Sequence, residues 1–187
     1  IYEVGASNED ALRVAVEEEW DESYFENPTQ SNEYRKEALL ILKEYFIENP
    51  IDENMRYLLE KEFSVFIGAV EFRGKVDRID IKSDGKAQII DYKTSPKKKT
   101  QKSISKDIQL PYYSFLLYKS KDDEVSGSIS SAKFEYVRHA ESPSVEVVFT
   151  KEDISRIEER VKNISSSVQK DIFTPKKNSI CYYCEFK

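Results

Sequence analysis

Along the first third of the chain, apolar residues recur three and four apart, at Ala11, Leu12, Ala15 and Val16 and again at Ala38, Leu39, Leu42, Tyr45 and Phe46. Charged residues fill the positions between them, the pattern of helices with one buried face. The spacing predicts two helices separated near Asn27-Pro28, a second stop at Asn49-Pro50, and a short helical stretch from Met55 to Glu60. From Phe63 the period falls to two: Phe63, Val65 and Ile67, then Val70 and Phe72, alternate with other residues, and Gly68 or Gly74 can supply a turn or bulge. KVDRIDI, residues 75–81, reads as a strand, Ser83-Asp84-Gly85 as a hairpin turn, and AQIIDYK, residues 87–93, as its partner.

The polar, basic segment SPKKKTQKSISK has no period and predicts a mobile loop. A helix follows from near Asp107, with Ile108, Tyr112, Phe115 and Leu116 on one face and Pro111 tolerated in the first turn. Strands at Ala132–Arg138 and Val145–Phe149 flank a turn around Ser142-Pro143, and Thr150 opens TKED as a capping box. The helix that follows carries Ile154, Ile157, Val161, Ile164 and Val168, a full stripe expected to be buried. Helices, three strands, a helix, two strands and a helix make an α/β (α+β) domain with a mixed central sheet flanked by helices. The 187 residues suffice for one substantial core, so residues 1–187 read as a single domain, helical over 1–60 and built on the sheet over 61–187.

Composition narrows the function. No apolar run approaches the roughly 20 residues of a membrane-spanning helix, and IYEVGASNED lacks the basic and apolar regions of a signal peptide, so the expectation is a cytoplasmic protein with no membrane partner. Twenty-nine basic against 35 acidic side chains leave a net charge of -6, which excludes nucleic-acid binding by bulk charge and requires a local basic surface. The run Lys97, Lys98, Lys99, with Lys102, is the candidate for contact with a DNA backbone. Two cysteines, Cys181 and Cys184, are too few for a disulfide framework and read as metal or cluster ligands or as a redox pair.

The chemistry concentrates in IIDYKT. Side chains alternate along a strand, so the Asp91 carboxylate and the Lys93 ammonium share one face. The hairpin partner GKVDRID brings Asp77 within reach of Asp91, giving two carboxylates and a lysine around one point. Hard oxygen ligands suit Mg2+ or Mn2+. A lysine beside them can orient water and stabilise charge developing on a phosphodiester, which points to metal-assisted phosphodiester hydrolysis.

GKVDRID, IIDYKTS, QLPYYSFLL and CYYC, in this order, resemble the RecB-like nuclease domain of the PD-(D/E)XK superfamily, over roughly residue 60 to the end. The resemblance implies a restriction-endonuclease-like core and a Mg2+- or Mn2+-dependent DNA exonuclease of DNA repair or recombination, with DNA and a helicase subunit or domain as partners. It implies that Asp77, Asp91 and the main-chain carbonyl of Tyr92 bind the metal and that Lys93 activates water. Gln109 and Tyr113, one helical turn apart, match the family's Gln and Tyr and would touch a phosphate or brace Lys93.

Where the family usually places a metal-binding His after a Gly in the first helix, GASNEDAL has Glu9, and Glu62 in LEKEFSV is the rival third carboxylate. The single histidine, His139, is expected at the surface. Some relatives hold a [4Fe-4S] cluster on four cysteines, one near the amino end of the domain and three at its carboxyl end. With only Cys181 and Cys184 here, the domain reads as trimmed at both ends, and such a cluster belongs to a longer protein. A catalytically inactive nuclease-fold module that binds DNA or a partner protein is the alternative.

Overall fold

The computed structural model describes residues 9–104, 106–120, 122, 124–125, 129–174 and 177–183. Helices α1 (Glu9–Glu19) and α2 (Pro28–Glu48) pack on each other, as the opening periodicity predicts. Asn27 caps α2 by accepting from Gln30 N–H at 2.9 Å, and Pro28 occupies the first turn, where no backbone donor is lost.

The Met55–Glu60 segment is not helical. Strand β1 runs Arg56–Ile67 and pairs antiparallel with β2 (Val70–Ile81) from end to end except at Glu60 and Asp77. A run of six residues holds either period, and here a long pairing partner decides it for the strand. Gly68, at φ +63°, makes the tight turn between them. Gly74 serves differently, because an added Cβ would lie 2.6 Å from Leu116 Cδ1: it admits the next helix against the sheet. The turn through Gly85 leads to β3 (Ala87–Lys93), antiparallel to β2.

After β3, the short helix α3 (Gln101–Ile104) and then α4 (Gln109–Ser120) cross to β4 (Ile129–Tyr136), which lies parallel to β3. Strand β5 (Ser144–Val147) closes a five-stranded mixed sheet in the order β1-β2-β3-β4-β5, and α5 (Lys151–Gln169) ends the domain. The lysine-rich segment expected to be mobile is tied down. Lys99 N–H donates to the buried Tyr136 hydroxyl at 3.0 Å, and Ile104 is buried in the core.

One face of the sheet carries the hydrophobic core, in which Phe63, Val76, Ile79, Ile89 and Phe134 meet Leu110, Phe115, Leu116 and Leu117 of α4 and Ile157 and Val161 of α5. The Thr150 capping box is present, with Asp153 as its reciprocal acid. The α5 stripe is only half buried, since Ile164 and Val168 are 45% and 38% exposed, while Ser165 turns inward and donates to the Ile67 carbonyl at 2.6 Å. Ile108 precedes α4 and is exposed rather than core.

Candidate active site

Asp77 occupies an irregularity that the strands themselves create. The β1–β2 ladder pairs Leu59 with Arg78 and Lys61 with Val76 but passes over Glu60 and Asp77, and Glu60 has a left-handed φ of +49°. Inward-facing positions lose step there, from Leu58 to Phe63 on β1 and from Val76 to Ile79 on β2. The β2–β3 ladder likewise ends at Arg78–Ile90, one position before Asp77 would face Asp91. In place of a ladder bond, Asp77 Oδ2 accepts from Tyr92 N–H at 2.8 Å. Positive φ at a non-glycine residue is costly, and here it accompanies the break that frees a carboxylate from the sheet.

Asp91 is 2% exposed and sits where α4 begins. Its Oδ1 accepts from Gln109 Nε2 at 2.5 Å, while Oδ2 is ion-paired with Lys93 and receives no aligned hydrogen bond. Gln109 Oε1 accepts from Lys93 Nζ at 3.1 Å, and Gln109 Nε2 lies 3.3 Å from the Tyr113 hydroxyl. Lys93 Nζ also stands 4.7 Å from the ring centre of Phe134, the residue opposite Asp91 on β4. The structure thus gathers Asp77, Asp91, Lys93, Gln109 and Tyr113 into one contiguous cluster.

Burial pushes the Asp91 carboxyl above its ordinary range, Lys93 opposes that shift, and the charges of Asp77 and Asp107 add to it. A cation placed between Asp77 and Asp91 would relieve this repulsion. The donor set fits one: the two neighbouring strand carboxylates, whose charges repel, offer the hard oxygen ligands that Mg2+ and Mn2+ prefer.

The other sequence candidates lie elsewhere. Glu9 pairs with Lys43 at 2.7 Å on the exposed surface of α1 and α2. Glu62 is exposed on β1 opposite Lys75. Among the described residues, no three His, Cys, Asp or Glu side chains converge as a ready-made metal cluster. Lys98 donates to the Ser142 carbonyl, whereas Lys99 pairs with Asp107 and approaches the Phe134 ring. His139 lies half-buried at the surface, its ring 3.1 Å from the Pro96 carbonyl and edge-on to Tyr136. Cys181 is half-buried beside Asn178, and Cys184 lies outside the described residues.

Sequence reasoning missed the buried polar stripe behind the site. Arg78 pairs with Asp80 at 2.7 Å, lies between the rings of Tyr57 and Tyr92, and donates to the Tyr92 hydroxyl. Glu135 pairs with Lys133 at 2.7 Å and accepts from the Tyr45 hydroxyl at 2.6 Å. The signal was the polar parity of KVDRID and SSAKFEY, in which Arg78, Asp80, Ser131, Lys133 and Glu135 all fall on the face opposite the core.

Fold and site together define a strand-borne acid–lysine centre on a mixed sheet, the restriction-endonuclease-like arrangement. The sequence profile of the PD-(D/E)XK nuclease superfamily matches residues 2–187, and the chain belongs to that superfamily. A solved crystal structure of SSO0001 is similar at 20% identity with a TM-score of 0.46, covering 93% of this chain and 77% of that one. No curated protein matches the chain significantly. No helix among the described residues is long and apolar enough to cross a membrane.

Proposed function

We propose that this protein is a Mg2+- or Mn2+-dependent deoxyribonuclease, and within its superfamily a RecB-type exonuclease acting in DNA repair or recombination beside a helicase subunit or domain. The observation that carries the reading is the cluster on β3, where Asp91 and Lys93 share a face and Gln109 of α4 bridges them, next to an Asp77 released from its ladder.

Asp77, Asp91 and the Tyr92 carbonyl would hold the divalent ion. When bound, it supplies Lewis-acid polarisation of the phosphodiester and acidifies water. The protein's own groups do the positioning. Gln109 fixes the Lys93 ammonium by accepting from it while donating to Asp91, which holds Lys93 beside the carboxylate pair. There it orients the attacking water and stabilises negative charge on the phosphorus oxygens. One phosphate ester bond is exchanged for a bond to the water oxygen, yielding a phosphate monoester and a free hydroxyl. Two thiols fall short of the four a [4Fe-4S] cluster needs, so Cys181 and Cys184 would join such a cluster only within a longer protein.

The alternative, a non-catalytic DNA- or protein-binding module, draws on the surface pairing of Glu9 with Lys43, which leaves a third carboxylate unassigned. End-labelled linear and circular duplexes, titrated with Mg2+ or Mn2+ against EDTA, separate the two. Metal-dependent loss of the linear label with the circle intact supports the exonuclease, nicking of the circle shows an endonuclease, and binding without cleavage under either metal supports the inactive module.

A further inference from the structure

Within the lysine run, the structure sets one residue apart. Lys99 Nζ lies 4.9 Å from the centre of the Phe134 ring, the same ring that Lys93 Nζ approaches at 4.7 Å. Phe134 is fully buried and stands opposite Asp91 on the neighbouring strand, and Asp107, the ion-pair partner of Lys99, also feels the charge of Lys93, so Lys99 borders the reaction centre. Lys98, by contrast, is spent on the Ser142 carbonyl and hydroxyl.

The backbone fixes this approach. Lys99 N–H donates to the hydroxyl of the buried Tyr136, and the next residue, Thr100, begins the hydrogen-bonded turn that leads into α3. The side chain therefore extends from an anchored point. Its ammonium is paired with Asp107, whose second oxygen accepts from Gln109 N–H at 2.8 Å and so caps α4. Burial pushes the Asp107 carboxyl up, but Lys99, the Gln109 N–H and Lys93 together outweigh it and hold Asp107 below the usual range. Lys99 keeps 41% of its side chain exposed against 17% for Asp107, so the ammonium stays accessible from solvent while the carboxylate is fixed at the start of α4. An accessible ammonium held beside a reaction centre by a carboxylate can exchange that carboxylate for a phosphate.

We propose that Lys99 is a second cation of the active site, which leaves Asp107 to grip a non-bridging oxygen of a DNA phosphate beside the one held near Lys93. The inference rests on the reading of Asp77, Asp91 and Lys93 as a nuclease centre. Asp107 then acts as a stand-in anion that keeps Lys99 in position until DNA arrives.

Two measurements on the full chain test it. In EDTA, where no cleavage occurs, fluorescence anisotropy of a labelled 20-base-pair duplex gives Kd between 50 and 200 mM NaCl. With Mn2+, steady-state cleavage gives kcat and KM. The expectation is that Lys99→Ala raises Kd roughly tenfold, the weight of one charge-assisted hydrogen bond, and flattens the log Kd against log salt slope by about one unit. Lys99→Arg restores most of both. Asp107→Asn, which keeps an acceptor for Gln109 but frees Lys99, tightens binding. Lys86→Ala, a lysine paired with Asp84 in the β2–β3 turn, changes neither Kd nor slope. A Lys99→Ala protein with wild-type Kd, slope and KM overturns the proposal, as does an Asp107→Asn protein that binds as poorly as Lys99→Ala, since the pair would then be merely structural. If the wild type binds with the Lys99-dependent slope yet never cleaves, the phosphate contact stands and the nuclease reading falls. If it cleaves and Lys99 proves silent, the reverse holds.

Discussion

The two faces of strand β3 use the same chemistry to opposite ends. On the back face, Tyr92 adjoins Arg78 and Glu135, and each buried charge there has an opposite charge within 2.7 Å, Asp80 for Arg78 and Lys133 for Glu135. Tyr45 of α2 and Ser144 of β5 complete the Glu135 shell at 2.6 and 2.8 Å. On the front face, apolar Ala87 and Ile89 give way to Asp91 and Lys93, and the balance fails: the charges of Asp77 and Asp107 add to the burial that raises the Asp91 carboxyl, and Lys93 opposes them. A closed network holds the sheet in one geometry, since breaking a buried pair is expensive. An unbalanced one keeps an excess of negative charge that a cation would offset. The back face thus fixes the strand on which the front face works.

The sharpest way to break this comparison is to remove a front-face carboxylate. Asp91→Asn or Asp77→Asn is expected to lower cleavage by at least roughly 10³-fold while the melting temperature stays near that of the wild type. A large loss of stability with residual activity would move those residues to the structural side.

Arg78→Leu should do the reverse. It strands Asp80 in a buried position, so urea denaturation should show a loss of about 3–5 kcal/mol, with Arg78→Met/Asp80→Leu recovering most of it. Cleavage per folded molecule should change little in the double variant. An equally stable Arg78→Leu protein would show that the back face does not hold the sheet.

Lys93→Met, smaller in effect, separates binding from chemistry. It is expected to slow single-turnover cleavage roughly 10²- to 10³-fold at saturating DNA, with little change in Mn2+ affinity. Wild-type turnover would remove Lys93 from the mechanism.

The mildest prediction concerns pH. Burial alone would push the Glu135 carboxyl up, but Lys133, Tyr45 and Ser144 outweigh it and hold it below its ordinary range. A depressed folded pKa adds stability above the unfolded value, about 4.3, and that stability is lost as pH falls through the lower folded value. Wild type should therefore exceed Glu135→Gln by about 1–3 kcal/mol at neutral pH, with the gap closing in acid. A gap that persists or widens below pH 4 would contradict this.

Much of the front face was legible because it depends on local rules. A DG turn and a period of two placed β3 to the residue, and strand parity put Asp91 and Lys93 on one side. What escaped depends on distant partners. Met55–Glu60 holds both periods, and only pairing with β2 makes it a strand. Helix α3 is secured by a single buried residue, Ile104, inside a segment whose composition suggests a loop. The inner face of α5 turns polar at Ser165, which meets the Ile67 carbonyl, so Ile164 and Val168 look like core in sequence and are not. The placement of Glu9 and Glu62 follows from how α1 and the β1–β2 hairpin sit against the sheet, which spacing along the chain does not encode.

Asp77 and Asp91 are read here as one cation-seeking pair of carboxylates. Crystals soaked in Mn2+ and measured at the manganese absorption edge test it directly. The expected result is an anomalous peak roughly 2.0 to 2.6 Å from an oxygen of each carboxylate and close to the Tyr92 carbonyl, absent in Asp91→Asn. A peak held by other acids, or Mn2+-dependent cleavage with no density between Asp77 and Asp91, would contradict it.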